Sequence, residues 1–421
     1  MTATPTVPSS ACPRCTETTV TIGLRQPWCP SCDWNLDQET PVLFGWRWVD
    51  RRLHRVASRL TEAQFADIAD GPLSPRTMTV ARATTLTAAV VLLLGVFALA
   101  ALGLWMVFAD FFGLLTVLGV VLLGVAYLLR PRLGRLSALA GQGVLVEPGQ
   151  APHLHELVER VAVAVGAPKP QVLMIGSDLN AFTTAVGVRR TRVLCLGLPL
   201  WATLEPQERV ALLGHELGHF VNGDIRRGPL TQVAETTLGE IARLFEPVAA
   251  PNNGGIIEYV ASIVAWVFGK IVSGAARALQ LLLVWTSQRD SQRAEYLADE
   301  MAARAGGTDA ALGLANHLVA LVPIDTVVRR EARAGNGMAA WYDATRAARA
   351  NLRESLPLLR RISCHSEVSL FASHPPSGFR VAMLERRPRQ SAAVTLTDSD
   401  AVRIDAELAV HEKTVRRELT Y

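Results

Sequence analysis

The chain has 421 residues, half of them hydrophobic and only 19% charged, with a mean hydropathy of +0.23. Soluble proteins carry about a quarter charged residues, so this composition leans toward the membrane, and the length allows two or three units. The formal charge of +4 is too small to imply a nucleic-acid partner, and none is expected.

Residues 1–10 are mostly Thr, Pro, Ser and Ala, without the basic start and apolar core of a signal peptide. Two Cys-x-x-Cys pairs follow, Cys12/Cys15 and Cys29/Cys32, separated by thirteen residues. Four thiolates on two turns are the usual frame of a tetrahedral structural metal site, and the segment 1–40 resembles a zinc ribbon. A rubredoxin-like iron site and a catalytic dithiol compete with zinc here. A closed site of this kind stabilises a small module or docks a protein partner and does no chemistry. It also implies a reducing compartment. Cys195 and Cys364 stand alone and read as small buried hydrophobes.

The stretch 41–82 is mixed and basic, with Trp46 and Trp48 among Arg47, Arg51, Arg52 and Arg55. It is predicted as a helix at the membrane interface or as an ordinary linker helix. Residues 83–108 carry no charge and are long enough for a bilayer core of about 30 Å. After Ala109 and Asp110, residues 111–129 give a second uncharged span, so 83–130 is predicted to be a transmembrane hairpin. Arg76 and Arg82 precede it; Arg130, Arg132 and Arg135 follow it. By the positive-inside rule both ends face the cytoplasm, which agrees with reduced cysteines. The expectation is a multi-pass protein of the cell membrane, with the N-terminus and the catalytic unit cytoplasmic and the lipid bilayer as a partner.

From residue 148 the pattern is globular. Residues 153–165 read as an amphipathic helix stopped by Gly166, with His153 and His155 on the surface, and 170–175 and 192–196 as short strands. Another helix is predicted from Pro206, with Glu205 and Glu208 near its positive end and a stop at Asn222-Gly223. Inside it lies His215-Glu216-Leu217-Gly218-His219. At 3.6 residues per turn the two His share a face and both imidazoles can reach one metal ion, while Glu216 lies about 100° round. Two nitrogen ligands plus a carboxylate general base is the arrangement of a zinc peptidase. A chance match on an amphipathic helix is the competing reading. The hydrophobic stretch 256–285 is interrupted by Glu258, Lys270 and Arg277. It is expected to pack on the globular unit or lie along the membrane rather than cross it fully, with two further short crossings as the alternative. Beyond it, Glu295 and Asp299 are i,i+4 on a predicted helix. Glu295 can complete the metal site while Asp299 bonds the far nitrogen of a ligand His. The same spacing is common on solvated helices. Residues 341–361 and 398–419 read as helices around the cleft or on its rim.

Four segments, taken in order, resemble the membrane-associated gluzincins that include the HtpX heat-shock protease and the CAAX prenyl protease. They are Asn180-Ala181-Phe182; His215-Glu216-Leu-Gly-His219 with Asn222-Gly-Asp224; Arg293-Ala-Glu295-Tyr-Leu-Ala-Asp299; and Phe371-Ala-Ser-His374-Pro375-Pro376 with Arg380. The resemblance implies a mainly α (α+β) fold with a small sheet over 148–387 and a helical tail over 388–421. It implies a catalytic zinc on His215, His219 and Glu295, with Glu216 as base and Asp299 behind His215. It places Asn180 and Ala181 on an edge strand that binds substrate backbone, and His374 and Arg380 at the developing oxyanion. A structural hydrogen bond pinning the Pro375-Pro376 turn is the plainer reading of His374. Two zinc ions are expected in all, the second in the ribbon. The implied substrates are unfolded or damaged membrane proteins. A specific processing peptidase and a non-catalytic zinc-dependent scaffold are the alternatives. The ribbon and an indistinct second membrane hairpin depart from the family pattern.

Overall fold

The computed structural model describes residues 11–21, 27–36, 42, 45–69, 80–109, 113–130, 136–139, 141–187, 189–222, 228–246 and 256–420. The elements in chain order are α1 (Arg47–Ala69), α2 (Val80–Ala109), α3 (Leu114–Leu128), α4 (Leu136–Leu139), β1 (Val144–Leu145), α5 (Pro152–Val165), β2 (Val172–Gly176), β3 (Ala181–Val186), β4 (Thr191–Gly197) and α6 (Leu198–Thr203). They continue with α7 (Pro206–Asn222), α8 (Gly228–Leu244), α9 (Ile256–Gly306), α10 (Thr308–Val319), α11 (Leu321–Arg333), α12 (Met338–Leu352), α13 (Leu356–Ser366), α14 (Ser377–Arg386) and α15 (Asp398–Thr420). The fold is mainly helical with one small sheet, as the sequence predicts. Residues 1–10, Arg76, Asp110, Arg132, Arg135, Gly223 and Asp224 lie outside the described residues.

The sheet has the order β1-β2-β4-β3, with β2 and β4 parallel and β3 antiparallel to β4, Thr183 opposite Leu194. The inner strands are buried on both faces, which suits their unbroken apolar runs. Leu173, Ile175, Leu194 and Leu196 point into the main core, while Met174, Val193 and Cys195 form a smaller cluster on the other face. Burial pushes the Cys195 thiol up to about 11, in keeping with a packing role. β3 is the outer strand, one edge unpaired among the described residues.

The main core joins α5, α6, α7, the end of α9, α10, α11, α12, α14 and α15. Phe65 and Ile68 bring the end of α1 into it, and Ile404, Leu408 and Val415 bring in α15. The segment after residue 387 therefore shares the main core. Glu407 of α15 accepts the backbone N–H groups of His153 and Leu154 at the positive end of α5, and His153 Nδ1 lies 2.6 Å from the same carboxylate. His155 bonds Val146 O, so both histidines serve the fold. The single helix expected over 341–361 is two, because Pro357 begins α13. Trp341 of α12 is fully buried rather than at a rim.

Among the described residues two helices are long and apolar enough to cross a membrane, α2 through Leu86–Ala109 and α9 through Tyr259–Gly306. α3 has 15 residues, about 22 Å, and falls short of a full core thickness. It packs closely on α2: a Cβ on Gly119 would stand 2.6 Å from Gly103 O. The stretch 256–285 is helical throughout. It is the first part of one 51-residue helix, about 76 Å long, with Tyr259, Val264, Trp266, Phe268 and Ile271 exposed. Its charges do not break it, since Lys270 lies over the Trp266 ring and Arg277 pairs with Glu246 at 2.8 Å. Ala89, Leu238 and Leu283 join α2, α8 and α9 in a separate apolar cluster, so a second helical pair accompanies the hairpin.

The cysteine segment forms two matching knuckles. Cys12 N–H donates to Glu17 O and Cys29 N–H to Trp34 O, while Thr16 N–H and Asp33 N–H return to Cys12 O and Cys29 O. Thr16 and Asp33, each next to the second Cys of its pair, both take positive φ, 64° and 57°.

Candidate metal centre

The site forms where α7 crosses α9, and glycine makes the crossing close. A Cβ on Gly214 would lie 2.6 Å from Ala305 Cβ and 2.8 Å from Met301 O, and one on Gly218 would lie 3.0 Å from Met301 Cβ. With neither side chain present, the face of α7 carrying His215 and His219 is pressed against the face of α9 carrying Glu295. The donor atoms of these three residues lie within 4.8 Å of one another. His215 Nε2 is 3.5 Å from Glu295 Oε2, and His219 Nε2 is 3.6 Å from Oε1. Donors 2.0–2.2 Å from a tetrahedral ion stand roughly 3.3–3.5 Å apart, so the set fits zinc closely.

Burial and charge point the same way. Glu295 is buried, and among the described residues its Oε2 has no aligned hydrogen-bond donor, although His374 Nδ1 lies 2.9 Å away. His215 Nδ1 is 3.1 Å from Asp299 Oδ1. When that nitrogen carries the proton, Nε2 presents its lone pair to the centre. Burial works against a charged His215, but Asp299 and Glu295 outweigh it and raise the imidazole to about 10. Three buried carboxylates, Glu216, Glu295 and Asp299, share one Arg, and the upward pull on His215 reports the same excess of negative charge, which suits a bound cation.

Arg380 is buried among the ligands: its Nη2 and Nε hold Asp299 at 2.6 and 2.8 Å, its Nη1 lies 3.8 Å from Glu295 Oε2, and it is 5% exposed. A buried guanidinium needs a fixed counter-charge, and Asp299 is that partner. Asp299 in turn raises the Arg380 pKa, against the opposing effect of burial. His374 is different: its side chain is 64% exposed at the mouth of the site.

Glu216 lies beside His215, buried, on the side of β3. Thr183 Oγ1 donates to Glu216 O at 3.1 Å and reaches its Oε2 at 3.4 Å. The sequence reading missed Thr183, yet strand alternation puts it on the face of Ala181, toward α7. Ala181 has its side chain in the core, so β3 can offer a substrate only its backbone there. Asn180 is exposed just before the strand, and its carbonyl accepts the Gly197 N–H at 2.8 Å. Gln292, also missed, donates to Ala372 O at 2.9 Å and so ties α9 to the loop bearing His374.

In the ribbon, Cys12, Cys15, Cys29 and Cys32 form the second such group among the described residues. Their sulfurs are free, with Cys12–Cys32 at 3.6 Å and Cys15–Cys29 at 3.4 Å. Thiolates 2.3 Å from a tetrahedral zinc stand about 3.8 Å apart, so this set also fits the ion.

Comparison with known proteins decides the family, for the profile of Peptidase family M48 matches residues 148–388. The chain belongs to that family. Its relatives include the Protease HtpX homolog of Moorella thermoacetica, 28% identical over 295 residues, covering 67% of this chain and 86% of that one. Protease HtpX homolog 1 of Streptomyces coelicolor is 31% identical over 182 residues, 43% of this chain and 58% of its own length. The Protease HtpX homolog of Pyrococcus furiosus is 29% identical over 250 residues, 58% and 75% respectively. No solved structure matches. This M48 chain is thus an HtpX-like membrane metallopeptidase by family, with a cysteine cluster in front.

Proposed function

We propose that the protein is a membrane-anchored zinc endopeptidase that cuts extended segments of unfolded or membrane proteins. The convergence of His215, His219 and Glu295 beside Glu216 carries this reading. His215, His219 and Glu295 would hold the zinc, and the four ribbon cysteines a second, structural one. When bound, the catalytic ion supplies Lewis-acid polarisation and makes water more acidic near neutral pH.

The rest belongs to the chain's own groups. Glu216 takes a proton from the attacking water and returns it to the leaving amine. Thr183 holds Glu216 against the edge strand. Asp299 fixes the His215 tautomer, and Arg380 balances the Asp299 charge. A substrate pairing with β3 lies extended across the site, because the strand edge offers main-chain hydrogen bonds without regard to sequence. His374 reaches the cleft and can donate to the developing oxyanion. Arginines around the apolar hairpin support a cytoplasmic catalytic unit.

Glu216→Gln and Glu295→Ala test this together. Glu216→Gln is expected to keep wild-type metal content and lose peptide hydrolysis by about 10²–10⁴-fold. Glu295→Ala is expected to lose the catalytic metal alone. Wild-type turnover in Glu216→Gln overturns the mechanism. A specific processing peptidase would instead accumulate one uncut partner in a deletion strain.

A further inference from the structure

The ribbon is seated on α13, the helix leading directly into the His374 loop. Asp33 accepts from Arg361 Nε at 2.5 Å and Nη2 at 2.8 Å, and its Oδ2 lies 3.0 Å from His365 Nε2. Asp33 is 14% exposed, and its positive φ turns it out of the Cys29/Cys32 knuckle toward the helix. Beside this contact Trp28 and Leu36 pack on Leu358 and Ile362.

α13 is held by the ribbon on one side and by α10 and α14 on the other. It is 11 residues long and buries only Leu358 and Ser363. A helix this short is marginal alone and depends on its neighbours. The ribbon covers Leu358, and α14 covers Ser363, whose Oγ accepts Gly378 N–H at 3.0 Å. The α13–α14 joint is tight: a Cβ on Gly378 would stand 2.0 Å from Arg360 O and 2.6 Å from Cys364 Sγ. Glu367 at the end of α13 accepts Ser377 N–H at 2.7 Å and closes the base of the 367–376 loop. That loop carries His374, and α14 carries Arg380.

We propose that the ribbon is a positioning element for the metal centre, with Asp33 clamping α13 so that the loop bearing His374 keeps its place over Glu295. The consequence for turnover rests on the peptidase reading above; the consequence for loop order does not. The competing view is that α10 and α14 suffice, since Arg360 also bonds Asn316 and Glu385 at 2.8 Å each.

The full-length protein in detergent micelles, carrying Asp33→Asn, Arg361→Gln or both, decides between them. Hydrogen exchange over 367–376, metal content, and kcat and KM on an extended fluorogenic peptide are measured, with the exposed Glu17→Gln as control. Each single variant is expected to speed exchange in the loop by about threefold or more at unchanged metal content. Each should lower kcat about fivefold with KM within about twofold. The double variant should add little to Asp33→Asn alone, since that change already weakens the Arg361 contact together with the His365 one. Loop exchange equal to wild type in Arg361→Gln overturns the clamp, and that variant leaves the ribbon's own residues intact should Asp33→Asn misfold. A wild-type protein that cuts no peptide would instead defeat the peptidase reading, and the exchange result would still judge the clamp.

Discussion

Arg380 separates two kinds of importance that a motif cannot distinguish. Facing the cleft, it would matter to kcat alone. Buried against Asp299, it matters to the integrity of the site. Arg380→Met is expected to leave a buried carboxylate uncompensated and to destabilise the protein by about 3–5 kcal/mol. Thermal unfolding with zinc titration reads this; normal stability with slow turnover would restore Arg380 to the oxyanion. His317 offers a test unrelated to the metal. It is wholly buried, its Nδ1 has no hydrogen-bond partner among the described residues, and burial with Arg349 nearby lowers its pKa to about 3. The folded state then resists a proton that the unfolded chain accepts below about pH 6.5. Stability contributed by neutral His317 is complete above that pH and is lost as pH falls toward 3, at about 1.4 kcal/mol per unit. In His317→Leu, the slope of unfolding free energy against pH between 6 and 4 should flatten by about that amount. An unchanged slope would show that another group governs acid sensitivity.

The crossing of α7 and α9 is where helix packing and chemistry become one problem. Gly214→Ala inserts a methyl into a gap that is already filled, with backbone at 2.8 Å on one side. Overpacking costs about 1–3 kcal/mol, and the strain pushes His215 away from Glu295. Weaker zinc binding together with a lower unfolding midpoint is the expected result; wild-type affinity in a folded Gly214→Ala protein would show that the crossing tolerates more space. Much of this element was legible in advance. The i,i+4 spacing of His215 and His219 and of Glu295 and Asp299 fixes one face of each helix, whatever surrounds them. Pro206 and Gly166 marked helix ends for local reasons, a missing N–H at the first turn and a left-handed stop at φ 72°. The docking of Asp33 on Arg361 was not legible, because 328 residues separate them and neither has a local pattern. The pairing of Arg380 with Asp299 was not legible either, because resemblance names a residue without naming its partner.

Anchoring is a property of the whole molecule, and α9 changes how it works. A hairpin alone would tether the catalytic unit at its N-terminal side. Here the same helix that presents Glu295 extends into an apolar half with Trp266, Phe268 and Ile271 exposed. The sequence reading stopped short of a crossing because it counted charges as interruptions. Lys270 can snorkel along its own aliphatic stem, and Arg277 is paired with Glu246, so the cost of including them is small. By length and composition this half can cross a bilayer, and a crossing there would make the ligand helix itself an anchor that sets the depth of the site. A protease site inserted after the exposed Gly141 separates α2 and α3 from everything that follows. After cleavage in membranes and a carbonate–urea wash, the fragment beginning there is expected to stay in the pellet, held by α8 and α9. Its release would mean that the hairpin is the sole anchor and that the exposed side of α9 is covered by protein instead of lipid.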